Sequence, residues 1–275
     1  MRISISLSKK FANTSFLILM LMALIIALTS FAVHVVPYLR QLTQTISLFF
    51  NPGEPEVNMV MQSLDLAGEM NPPTWFKMVP LLLCSLLLAA IAYIIKRNGG
   101  RYALQWGAMS VVFAVMSMDE VGTLHEHYIW NLRGRWPDNI LLRYAWVYPL
   151  AVVVLLFVLA SLRVLFDLPW EYRLLFIASG FLYVLGALGL EMLSEAQVEH
   201  FDQLNVPLQD RDSNIPYIAL QSFKDFLKLS GSFLFLYSLM RYTIHLDEHQ
   251  IPAATQTTSP DSSRERHDSA RVSTP

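Results

Sequence analysis

Between Asp119 and His127 the chain places three carboxylates and two imidazoles in nine residues: Asp119, Glu120, His125, Glu126 and His127. This stretch follows directly on the apolar run Ala108–Met116. An ionised side chain near hydrocarbon costs about 3 kcal/mol on insertion scales, so it requires a partner or a wet cavity. A second set of acids, Glu191, Glu195 and Glu199, closes another apolar run, with His200 and Asp202 just beyond. Lys224, Asp225 and Lys228 occupy the first turns of a third. Residues three, four or seven apart share a helical face. Asp119, Thr123 and Glu126 then form one row and Glu120 with His127 another. Glu191, Glu195 and Glu199 make a third row, and Lys224 with Lys228 a fourth, with Asp225 beside it.

Three chemistries suit such a set. Carboxylates and imidazoles from two helices could hold a divalent metal, with Asp119, Glu120, His125, Glu191 and Glu195 as the candidate ligands. The di-iron bundle signature Glu-x-x-His is absent; the spacings here are Glu120-x4-His125 and Glu195-x4-His200. Five residues turn about 140° around a straight helix, so these pairs could share a metal only where the helix ends or unwinds. His125-Glu126-His127 is likewise not the zinc-protease pattern His-Glu-x-x-His. The second chemistry is electrostatic: Lys224 and Lys228 neutralise carboxylates of neighbouring helices in a buried network that sets helix register. The third is a proton- or ion-linked path, since intramembrane acids often mark such routes. Nucleophilic catalysis has little support, because neither Ser117 nor Ser194 lies in a Gly-x-Ser-x-Gly elbow. No phosphate-cradling glycine loop is present.

The composition says where these groups must work. Of 275 residues, 54% are hydrophobic and 15% charged, against about 25% charged for a soluble domain. That profile belongs to an all-α, polytopic membrane protein whose partner is the lipid bilayer. The formal net charge of −2 gives no reason to expect nucleic-acid binding. Cys84, the one cysteine, excludes an internal disulfide and a cysteine-based zinc cluster, and reads as a packing residue.

Apolar periodicity predicts a six-helix transmembrane bundle over residues 1–250. Its spans lie near 16–36, 78–95, 102–118, 144–166, 174–194 and 218–242. The run Phe16–Val36 is 21 residues, longer than the roughly 7–15 of a signal h-region, so it reads as an uncleaved first span. Pro37 to Trp75 reads as a loop, with a short surface helix somewhere in Val57–Leu66. Lys96-Arg97-Asn98-Gly99-Gly100-Arg101 is a tight turn that makes a hairpin of spans two and three. Asn131 to Arg143 is a polar connection, Asp167 to Arg173 a tight loop, and Phe201 to Pro216 a polar loop. The tail from Ile251 to Pro275 lacks any apolar period and reads as disordered and cytoplasmic.

Six spans put both termini on one side. If that side is cytoplasmic, twelve of the 20 cations fall there, including Lys96, Arg97 and Arg101 in one short loop and Arg173 at the other. The acids ending spans three and five, and the lysines opening span six, then share the outer layer of the membrane. A metal-dependent membrane-embedded enzyme, acting on a lipid or an externally presented substrate, is one reading of that convergence. A non-catalytic transport component or partner subunit, held together by ion pairs, is the other.

The motif Ser117-x-Asp119-Glu120-x4-His125-Glu126 at a helix end resembles a pattern in uncharacterised bacterial multi-pass inner-membrane proteins. Those proteins carry an acidic Glu-Glu-x-x-Glu step and a glycine in their last helix. The matching positions here are Lys224, Asp225, Lys228 and Gly231, so the glycine agrees and the acidic character is partly reversed. The resemblance implies an integral inner-membrane location and assigns no reaction. The lysines weaken a metal site, because an ammonium repels a cation where a carboxylate would bind it.

Overall fold

The computed structural model describes residues 7–51, 58–68, 70–123, 147–207 and 214–250. The expected connection 131–143, the tail 251–275, and the candidates His125, Glu126 and His127 lie outside the described residues.

The first helix, α1 (Lys9–Val35), begins about two turns before the expected span, because Ser8 accepts the Phe11 N–H at 3.1 Å and caps it. Pro37 ends it. The residue before a proline is pushed out of the helical region, and Val36 is extended, with φ −88° and ψ 109°. The same proline then starts α2 (Pro37–Phe50), since a missing N–H costs nothing in the first turn. The expected loop is thus a 14-residue helix over its first third. A short α3 (Met59–Leu64) follows inside the predicted interval, capped by Asn58. Leu66 then drops between helices, fully buried with Ala23, Ala27, Leu229 and Phe233.

Helix α4 (Pro72–Arg97) opens with a capping box between Asn71 and Thr74. Helix α5 (Ala103–Gly122) returns antiparallel to it across the expected turn. Two serines clasp this hairpin: Ser85 Oγ donates to the Ser110 carbonyl at 2.8 Å, and Ser110 Oγ to the Ser85 carbonyl at 2.9 Å. Small hydroxyl residues let two apolar helices approach where greasy side chains give no preference for one another over lipid. Helix α6 (Val147–Asp167) ends against Arg173, whose guanidinium donates to the carbonyls of Leu165, Phe166 and Leu168. A cation on the orphan carbonyls of a helix C-terminus complements the dipole and holds the tight turn into the next helix.

That next helix differs most from expectation. Helix α7 (Trp170–Val184) passes through a π-helical segment (Leu185–Leu190) into α8 (Glu191–Gln203). The continuous rod of 34 residues outruns the span expected at 174–194. Last comes α9 (Ile215–Gln250), 36 residues and about 54 Å long at 1.5 Å per residue. Among the described residues there is no strand. Three helices of the described residues, α1, α4 and the α7–α8 rod, are long and apolar enough to cross a membrane.

Helix α9 is the axis of the molecule. It packs on α1, α4, α7 with the π segment, and α8. Ring contacts fix its direction: Tyr242 stacks on Trp106 of α5 and meets Tyr172 of α7, while Phe235 stacks on Phe113 and meets Phe176. Lys9 pairs with Glu248 at 2.9 Å, so the start of α1 and the end of α9 lie together. The ends of α5 and α7–α8 that carry acids therefore lie beside the start of α9.

The approach of α7 to α9 is unusually close, and glycine permits it. A Cβ on Gly231 would lie 2.6 Å from the Tyr183 nitrogen and 2.9 Å from the Ser179 carbonyl oxygen. One on Gly186 would lie 2.8 Å from the Lys224 carbonyl oxygen. These neighbours are backbone and cannot swing aside. Gly180, one turn from Tyr183, faces open space. Overpacking typically costs about 1–3 kcal/mol. Gly231→Ala should therefore lower the thermal unfolding midpoint of detergent-purified protein clearly, whereas Gly180→Ala should leave it unchanged or raise it. Equal behaviour of the two variants would refute the close crossing.

Candidate functional site

The charged residues of three chain segments meet where α9 crosses the π segment. Lys224 Nζ lies 2.8 Å from Glu191 Oε2 at the head of α8. Lys228 Nζ lies 3.4 Å from Glu120 Oε1 near the end of α5, and 3.9 Å from Asp225 Oδ1 on its own helix. Lys224 and Asp225 are buried, and Glu120, Glu191 and Lys228 part-buried. Tyr183 belongs to the same layer, within electrostatic reach of Glu120, Lys228, Asp119 and Asp225.

The local sequence explains why these side chains reach one another. Lys224 and Lys228 are four apart, so both point from one face of α9. Gly186 lies against the backbone between them. Glu191 is five residues beyond Gly186, which on a straight α-helix would turn it about 140° away. In the π-helical segment the bonding pattern is i→i+5, and residues five apart come back to nearly the same face. The glycine that admits α9 and the glutamate that pairs with it are thereby stacked.

The structure thus brings together Glu120, Glu191, Lys224, Asp225 and Lys228 from the sequence-derived set. Asp119 is adjacent, and its carbonyl accepts the Thr123 N–H at 2.9 Å as α5 closes. Glu195 lies one turn beyond Glu191, part-buried. Among the described residues no three His, Cys, Asp or Glu side chains converge in a way that could hold a metal ion. Two of the candidate ligands, Glu120 and Glu191, instead face ammonium groups. In this layer Gln221 donates to the Tyr217 hydroxyl at 2.9 Å, while its Oε1 is buried without a hydrogen-bond partner.

A second polar node was not found from sequence. Ser30 Oγ donates to Asp65 Oδ1 at 3.3 Å and accepts the Leu66 N–H at 2.9 Å. His34 Nδ1 donates to the Ser30 carbonyl at 2.8 Å, with Nε2 3.8 Å from Asp65 Oδ2. Lys77, only 8% exposed, donates to the Leu66 carbonyl at 3.2 Å. These contacts hold the non-helical backbone around Leu66 inside the bundle. Such backbone is tolerated at depth only where protein groups satisfy it. Ser30, His34 and Asp65 do not form a nucleophilic relay, because the Ser30 hydroxyl is bonded to the carboxylate and not to the imidazole. The signal that would have found Lys77 is the one applied to Lys224, a lysine in the first turns of an apolar helix.

Removing one partner of a buried pair typically costs about 3–5 kcal/mol, because the other charge is stranded. The geometry assigns the couples as Lys224 with Glu191 and Lys228 with Glu120. Lys224→Met should destabilise the purified protein, and adding Glu191→Gln should recover part of the loss. Adding Glu120→Gln to Lys224→Met should recover less. Additive effects of Lys224→Met and Glu191→Gln on the unfolding midpoint would show that the pair carries no coupling energy.

No curated protein and no solved structure matches this chain. A family model does match, over residues 46–243, well over half of the chain and both the Lys224–Glu191 and Lys228–Glu120 pairs. The chain belongs to the family described as "Domain of unknown function (DUF8692)".

Proposed function

We propose that the chain is a six-span membrane protein in which the lysine–carboxylate network acts as a structural lock for a non-catalytic role, as a transport component or partner subunit. One observation carries this reading: each of the two lysines of α9 lies within 3.4 Å of a carboxylate from a different neighbouring helix. A metal centre built on Glu120 and Glu191 would have to displace those ammonium groups first. The donor set favours the ion pairs, since a divalent cation and two lysines compete for the same oxygens.

The six spans proposed are α1, α4, α5, α6, the α7–α8 rod and α9. Besides the three apolar rods, α5 with 20 residues and α6 with 21 have the length of about 20 that a bilayer core demands. The ring contacts of α5 run antiparallel along α9, and α6 packs on α5 and α7, which supports a common span. The cations Lys96, Arg97, Arg101 and Arg173 lie at the end opposite the charged layer, which favours a cytoplasmic assignment for that end and for both termini. In a bacterium this is the inner membrane. Reporter fusions after Arg101 should then read cytoplasmic, and fusions after Asn51 external. A cytoplasmic reading after Asn51 would remove the outer-layer assignment of the network.

Function and metal are tested together. Elemental analysis of the purified protein should give no stoichiometric metal, and charge-preserving Glu191→Asp and Lys228→Arg should retain most of the stability. Stoichiometric metal that disappears with Glu191→Gln would overturn the lock in favour of a metal-dependent enzyme.

A further inference from the structure

Helices α1, α2 and α3 line an open apolar groove of about 450 Å³ that holds none of the Lys224–Glu191 and Lys228–Glu120 side chains. Its α1 wall is Leu28, Ala32 and Val33, its α2 wall Leu42 and Ile46, and its α3 wall Val60 and Leu64. The volume lies in the range of about 300–1,000 Å³ typical of small-molecule sites. We propose that this groove holds one acyl chain of a bilayer phospholipid, entering from the lipid-facing side of α1.

Three observations choose that occupant. First, the groove continues an established apolar surface. Leu17, Leu21, Leu24 and Leu28 are all exposed at three- and four-residue steps along α1, a helix apolar and long enough to cross a membrane. Leu28 belongs to both the row and the groove, so a chain lying along the row enters the groove without crossing a polar barrier. Second, the groove is lined by apolar side chains apart from Thr29 and Thr43, and the Thr43 hydroxyl is engaged elsewhere. Thr43 Oγ1 donates to the Arg40 carbonyl at 2.9 Å and accepts from Asn58 Nδ2 at 2.9 Å. Asn58 Oδ1 in turn accepts from Ser47 Oγ and from the Met61 N–H. A polar metabolite would bury its own donors and acceptors without partners there, at a desolvation cost that a hydrocarbon chain escapes. Third, α2 begins at a proline hinge on the end of α1 and exposes Tyr38, Phe49 and Phe50. Aromatic residues of this kind settle at the boundary between headgroups and hydrocarbon. An amphipathic helix seated at that boundary covers the entering chain from above.

The test uses the full chain in phosphatidylcholine vesicles doped with phosphatidylcholine carrying a diazirine on one acyl chain. After illumination, peptide mapping by mass spectrometry should find lipid adducts on α2 and α3 as well as on α1. Ala32→Trp and, from the opposite wall, Val60→Trp should each abolish the α2 and α3 adducts. Leu21→Trp, on the lipid-facing row but outside the groove, should preserve them. Adducts confined to α1, or unaffected by both filling substitutions in protein that keeps its unfolding midpoint, would overturn the proposal. If neither variant folds, the wild-type map decides alone: absence of adducts on α2 and α3 refutes the site. Absence of lipid adducts at Leu42 and Ile46 in protein that sediments as a dimer would instead assign the groove to a second copy of the chain.

Discussion

Two ammonium groups on adjacent turns of α9 must be balanced within an apolar body, and most of the packing around them follows from that requirement. Removing an ion from water costs several kcal/mol even after the protein relaxes, so attraction compensates only if the partner sits close and well aimed. Closeness comes from Gly186 and Gly231, where α7 and the π segment lie against the α9 backbone. Aim comes from the π segment, which turns Glu191 back onto the face that Gly186 already presents. Neither device suffices alone. With ordinary side chains at the two glycines the helices would stand too far apart for a 2.8 Å pair, and without the π turn Glu191 would point sideways.

The other lysine completes a different link. Lys228 reaches Glu120 of α5, and α5 is tied to α4 by the reciprocal bonds of Ser85 and Ser110. Ser117 adds a hydrogen bond to the Met78 carbonyl at 3.1 Å, close to where Glu120 leaves the helix. One face of α9 thus addresses α8 through Lys224 and the α4–α5 hairpin through Lys228. A buried polar network of this type restricts register more than it adds stability, because a partner slipped by one turn leaves a charge without its counterpart. That is the property expected of helices whose apolar surfaces, being as greasy as lipid, discriminate poorly among registers.

Much of this was legible in the sequence and some was not, for physical reasons that differ by residue. Long apolar runs ending in acids or basic turns located α4, α5 and α7, because hydrocarbon thickness leaves few alternatives. That Glu120, Glu191, Lys224 and Lys228 lie at one end of their helices followed from the order of the apolar runs. Their pairing did not, since position along the helices carries no information about which of them are neighbours: Lys228 meets Glu120 and Lys224 meets Glu191. The π segment left no periodic trace, because Leu185–Leu190 is apolar or glycine at every position and a change of turn does not alter that pattern. Helix α2 falls in the interval expected to be a loop, because Pro37 can open a helix as well as end one. The chain uses it as the first residue of a new helix. His125 and Glu126, which share a motif with Asp119 and Glu120, lie outside the described residues.

The segment matched by the family holds every member of the charged layer, whereas α1 lies outside it. Yet α1 is part of the same electrostatic arrangement. Ala23 and Ala27 close the back of α9 against Leu229 and Phe233, and Leu66 fills the gap from above. Of these, Leu229 adjoins Lys228 in sequence, so the apolar cluster covers a neighbouring side of the helix that carries the lysine. An ion pair strengthens as its surroundings lose water, so apolar closure by α1 and Leu66 raises the value of the Lys228–Glu120 contact without touching either charge. Ser30 makes this closure possible by accepting the Leu66 N–H, as Lys77 does by donating to its carbonyl. The two polar nodes, although built from different residues, are therefore coupled through one leucine: the Ser30–Lys77 node satisfies the backbone that delivers Leu66, and Leu66 helps to dry the wall behind Lys228.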